Sequence, residues 1–79
     1  MLILPQPDNE LIVISVLING STQHFEHPLS IAELIQKMEL GGKRIALERN
    51  GEILPRSQFN QQQIAHGDKL EIVVAVGGG

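Results

Sequence analysis

The chain has 79 residues, 42% of them apolar and 19% charged, with a formal net charge of −3 and no cysteine. A chain this short holds one domain around a single core, and its apolar share is too high for a disordered segment. Lack of cysteine excludes disulfides, thiolate metal sites and thiol nucleophiles, while the acidic balance, with two Phe and neither Tyr nor Trp, argues against nucleic-acid binding.

Residues 1–10 (MLILPQPDNE) read as an N-terminal extension expected to lack a fixed structure, because Pro5 and Pro7 keep them out of a regular ladder or helix. The opening Met1-Leu2-Ile3-Leu4 has no basic flank and does not read as a signal peptide. No apolar run approaches the roughly 20 residues that span a bilayer, so no membrane partner is expected and the predicted compartment is the cytoplasm.

Residues 11–76 read as the folded domain. Leu11 to Ile18 is rich in β-branched residues and ends at Asn19-Gly20, a strong hairpin signal. Ser21 to Glu26 returns as the second strand, with Phe25 as its inward anchor. Ser30-Ile31-Ala32-Glu33 is a capping box, and Ile31, Leu34, Ile35 and Met38 continue it as one apolar helical stripe. Gly41-Gly42 is expected to end this helix, since glycine accepts the left-handed C-terminal position.

Arg44 to Arg49 alternates as a half-buried strand, Asn50-Gly51 gives a second turn, and Glu52 to Leu54 gives a short strand stopped by Pro55. Ser57 to Gln63 is expected to hold a turn or one loop of helix. Gly67-Asp68 then leads into Lys69 to Val74, with Leu70, Ile72 and Val74 inward and Lys69, Glu71 and Val73 outward. The element order is ββαβββ, and one amphipathic helix over such a sheet makes a two-layer α+β domain.

After Val76 the sequence reads Gly77-Gly78-Gly79. Three glycines after a strand cannot pack or cap it, and a loose end is the plain structural reading. The functional reading is a thread. Without side chains the backbone enters a narrow cleft, and each residue extends it by about 3.3–3.6 Å.

Other chemistry is weakly supported. His24, His27 and His66 lack the spacing of a helical metal pair and the carboxylate to complete one, so no metal site is expected. Gly41-Gly42-Lys43 follows a helix instead of opening one and is not a phosphate loop. Lys43, Arg44, Arg49 and Arg56 suggest either a basic edge or ordinary solvated charges. Val73 and Ala75, outward beside the tail, are the candidate docking residues.

Several stretches together resemble the ThiS family of sulfur-carrier proteins in thiamin biosynthesis. They are Ile18-Asn19-Gly20, the Ser30-to-Leu34 helix entry, Ile45 to Asn50 running into Gly51-Glu52-Ile53-Leu54-Pro55-Arg56, Gly67 to Ile72, and Val76 to Gly79. The resemblance implies a ubiquitin-like β-grasp fold, a mixed sheet of four to five strands with one main helix, and strands one and five central. It also implies a carrier without catalytic residues or a bound cofactor. The Gly79 carboxylate would be adenylated by a ThiF-like adenylyltransferase that supplies ATP and Mg. A persulfide enzyme would donate sulfur, and the resulting thiocarboxylate would pass to thiazole synthase, ThiG. Gly78, Gly77 and Val76 would enter the partners' active sites. A MoaD-like carrier for molybdopterin or another thiolation pathway, and a non-carrier β-grasp binding module, are the competing expectations. The extension over residues 1–10 departs from the family pattern.

Overall fold

Asn19 and Asn50 hold left-handed backbones, with φ of 50° and 52°, and the glycines after them have φ of 84° and 90°. Paired positive φ angles form the two-residue turn whose twist suits antiparallel strands. The computed structural model describes residues 13–75 and contains the two hairpins these turns make. Strand β1 (Ile14–Ile18) turns into β2 (Ser21–Phe25), and β3 (Ile45–Arg49) turns into β4 (Glu52–Ile53). The proposed extension over 1–10, Leu11 and Ile12 of the expected first strand, and the tail over 77–79 lie outside the described residues.

The last strand, β5 (Lys69–Val74), joins the hairpins into one sheet of order β2-β1-β5-β3-β4. It pairs parallel with β1 and antiparallel with β3. Strands one and five are therefore adjacent and interior. The helix α1 (Ile31–Lys37) supplies the second layer. This is a mixed five-stranded sheet with one helix in the order ββαβββ, the β-grasp arrangement.

Alternation explains the core. Ile14, Val16 and Ile18 on β1 and Leu70 and Ile72 on β5 face the buried stripe of Ile31, Leu34 and Ile35 on α1. Val16, Ile31, Leu34, Leu47 and Leu70 are fully enclosed. Burying a side chain of this size stabilises the fold by about 1.5–3 kcal/mol relative to exposing it. Leu29, Phe59 and Ile64 complete the core from the loops. Periodicity does not reveal their contribution, since none of them lies in a helix or strand.

Both ends of α1 are satisfied locally. Ser30 Oγ accepts from the Glu33 N–H at 3.0 Å, and Glu33 accepts from the Ser30 N–H at 2.9 Å. The Ile31 and Ala32 N–H groups donate to the carbonyls of Gln62 and Phe59. The open donors of a helix start thus find partners in the capping box and in the 59–62 loop.

The helix end differs from expectation. Gly41-Gly42 does not end it; Met38 caps it, and Glu39 takes the left-handed conformation with φ of 60°. The Leu40 N–H bonds to the Ile35 carbonyl and the Glu39 N–H to that of Gln36, the two bonds of a Schellman motif. Ile35 is a core residue and Leu40, half-buried, packs against the core, so the Schellman stop falls ahead of the glycines. Gly42, at φ of 81°, serves the next turn instead.

Smaller differences follow the same logic. Phe25 closes β2 and is half-buried. The short strand expected through Leu54 ends at Ile53, although the Leu54 N–H still donates to the Leu47 carbonyl. A single 3₁₀ turn covers Arg56–Gln58 and sets Phe59 into the core. Among the described residues no helix is long and apolar enough to cross a membrane.

Candidate functional site

The strand that leads to the terminal glycines is the central one of the five. β5 has a hydrogen-bonded neighbour on each side, and its antiparallel register with β3 runs from Arg49↔Leu70 to Ile45↔Val74. The ladder continues one step further, since the Ala75 N–H donates to the Arg44 carbonyl at 2.9 Å. Chain positions are therefore fixed through Ala75. Val76, Gly77, Gly78 and Gly79, the residues assigned to active-site entry and covalent modification, lie outside the described residues.

Side-chain alternation places Val73 and Ala75 on the sheet face away from α1. Val73 is 64% exposed and Ala75 is exposed. The register puts Ala46 directly opposite Val73, and Ile53, 67% exposed, directly opposite Glu48. Glu48 in turn faces Glu71 across β3 and β5. The open face thus carries apolar side chains near the tail root and two opposed carboxylates next to them. Like charges directly opposite on a sheet oppose pairing slightly, so this placement does not serve stability. The sequence reading does not single out Ala46 and Ile53, because strand periodicity gives the face of a residue but not its cross-strand partner.

The four candidate basic residues do not act as one edge. Arg49 points to the core side and pairs with Asp68 at 2.8 Å. Arg56 donates to the Lys43 carbonyl at 2.9 Å. The side chains of Lys43 and Arg44 are exposed near the tail root.

Two of the three histidines meet backbone groups. His66 Nδ1 accepts the Ser15 N–H at 3.0 Å and so extends the seam between β1 and the approach to β5. His27 lies against the neighbouring Pro28 carbonyl. Among the described residues, no group of three or more His, Cys, Asp or Glu side chains is placed to hold a metal ion. Among the described residues one carboxyl is shifted. The Ser30 backbone and hydroxyl bonds hold Glu33 below the ordinary glutamate value, and this serves the helix cap.

A family model described as the ThiS family matches residues 16–79. A thiazole synthase of Paramagnetospirillum magneticum is 38% identical over 64 residues, which are 81% of this chain and 20% of that protein. The chain thus spans only a fifth of that relative. An uncharacterized protein, ycf40, of Porphyra purpurea is 39% identical over 66 residues, 84% of this chain and 93% of that one. The crystal structure of the thiamine biosynthesis protein ThiS from Geobacter metallireducens superimposes with a TM-score of 0.71 at 26% identity, covering 84% of this chain and 100% of that one.

Proposed function

The chain belongs to the ThiS family, and from that premise we propose that it is the sulfur carrier of thiamin thiazole formation, with the Gly79 carboxylate as its working group. The observation that carries this reading is the family match running through the terminal glycines, which follow a strand hydrogen-bonded on both sides. Four residues beyond Ala75 reach at most about 14 Å from that base, enough to bring a carboxylate into an enzyme cleft while the domain stays outside.

The chemistry sets the division of labour. A carboxylate oxygen is a poor leaving group, so sulfur cannot displace it directly. A ThiF-like adenylyltransferase supplies ATP and Mg, joins the Gly79 oxygen to the α-phosphorus and releases pyrophosphate. The terminal sulfur of a persulfide enzyme then displaces AMP. Cleavage of the S–S bond by a thiol leaves the thiocarboxylate. Val76 starts the thread, and no side chain follows it: Gly77 and Gly78 let the backbone approach both active sites closely. The carrier itself contributes no catalytic group and holds no cofactor. ATP-dependent activation suits the cytoplasm.

The acceptor is thiazole synthase. In the Paramagnetospirillum relative of that name, a segment resembling this chain makes up a fifth of the protein, so carrier-like and synthase-named sequence share one polypeptide there. Partners grip the open face around Val73 and Ala75, where exposed apolar surface adjoins the tail root.

Incubation with the adenylyltransferase, Mg-ATP and a sulfur donor is expected to exchange one oxygen for sulfur at Gly79, read by intact mass. Deleting Gly79 is expected to abolish the exchange. Equal modification of the truncated chain would sink the assignment.

A further inference from the structure

Strand β5 is clasped on both edges by side chains of turn residues. Asn19 Oδ1 accepts the Ile72 N–H at 2.7 Å, and its Nδ2 donates to the Ile72 carbonyl at 3.1 Å. On the other edge, Asn50 Oδ1 accepts the Lys69 N–H at 2.9 Å, and its Nδ2 donates to Asp68 Oδ1 at 3.2 Å. The Asn19 amide stands where a neighbouring strand would offer a peptide group, whereas the Asn50 amide bridges the Lys69 N–H and the Asp68 carboxylate. Each of these asparagines also precedes a glycine. A glycine nitrogen has no adjacent Cβ to shield it, so it is the least hindered internal nucleophile for the asparagine side-chain carbonyl.

We propose that Asn19 and Asn50 are sites of spontaneous covalent modification, deamidation through a cyclic imide, and that detachment of β5 controls its rate. The Gly20 nitrogen gives its proton to solvent base and attacks Asn19 Cγ. The N–Cγ bond forms, the Cγ–Nδ2 bond breaks, and ammonia leaves. Water then opens the ring at either carbonyl to give aspartate or isoaspartate, with no oxidant or reductant involved. Gly51 and Asn50 react in the same way. In the folded chain both amide atoms of Asn19 are held on β5, and those of Asn50 on Lys69 and Asp68 at its start. Turning Cγ onto the glycine nitrogen requires both bonds to break.

The product acts back on the fold. Aspartate at position 19 replaces an N–H donor by an oxygen facing the Ile72 carbonyl, and isoaspartate adds a backbone carbon to the turn. Either change loosens the seam between β1 and β5. The affected strand is the one that leads to the terminal glycines.

The test uses the full chain, aged at mildly alkaline pH in native buffer and in concentrated urea, with peptide-mapping mass spectrometry at both sites. Native deamidation is expected to be at least about tenfold slower, the protection conferred by an opening cost of only about 1.4 kcal/mol. Equal rates in the two conditions overturn the proposal. A second measurement follows hydrogen exchange of the Ile72 and Lys69 N–H groups in low urea. Imide formation is expected to accelerate in parallel with that exchange. Exchange that rises while imide formation stays constant overturns the control by β5.

Discussion

The Arg49 guanidinium lies 2.8 Å from the Asp68 carboxylate, joining the end of β3 to the residue that opens β5. Asp68 is only 7% exposed and also accepts from the Ala65 N–H at 2.8 Å and from Asn50. Arg49 reaches on to Gln62 at 3.3 Å. One ion pair thus ties the second hairpin to the 59–68 loop and to the tail-bearing strand.

Replacing Asp68 by Ala leaves a largely enclosed guanidinium and a backbone donor without their partner. The expected loss is about 3 kcal/mol in urea unfolding. The double replacement Arg49→Met with Asp68→Leu removes both charges and is expected to cost less than Asp68→Ala alone. A double variant weaker than the single one would show that the pair itself supplies the stability.

Glu39 holds a left-handed backbone that costs a non-glycine residue about 1–2 kcal/mol. Glu39→Gly removes that strain but raises the freedom of the unfolded chain. The net expectation is a gain of about 0.5–1 kcal/mol, seen as a higher urea midpoint at unchanged slope. A lower midpoint would mean that the Schellman turn gains nothing from glycine there.

The Glu33 carboxyl is held below its usual value by the Ser30 backbone and hydroxyl bonds, with His27 and Lys37 assisting. Its folded value is therefore lower than its unfolded one. The stabilisation is present above the unfolded value and lost as pH falls through the folded one. Glu33→Gln keeps the reach-back acceptor without the charge. The stability gap between parent and variant is expected to be largest at neutral pH and to vanish on acidification. A gap independent of pH would exclude the charge as its source.

Local rules make much of this fold legible. The Asn-Gly pairs mark both hairpins, Ser30 and Glu33 mark the helix start, and alternation sets the faces of β5. What stays hidden is non-local. Asn19 signals a turn in sequence, but its bonds to Ile72 span 53 positions. Asp68 reads as a turn residue until Arg49 and Asn50 are brought beside it. The helix stops ahead of Gly41-Gly42 at a Schellman turn whose Leu40 packs against the core, a contact that local glycine preference does not reveal. At the candidate site, the outward set of Val73 and Ala75 is readable from period two, whereas the opposition of Glu48 and Glu71 requires the strand register.

Val73 provides the sharpest test of how the carrier is gripped. It is 64% exposed on a strand hydrogen-bonded on both edges, so replacing it changes surface more than core. Substitution at such a position shifts stability by only about 0.5 kcal/mol. If the activating enzyme covers this face, burying Val73 contributes about 1.5–3 kcal/mol to docking, and a lysine there loses that gain and must also shed water from its charge. Val73→Lys is therefore expected to raise the carrier KM for adenylation at least about tenfold, the factor that 1.4 kcal/mol represents. Thermal unfolding should stay near that of the parent. A KM unchanged in a folded Val73→Lys chain would remove the open face from the docking surface and leave the glycine thread as the sole point of engagement.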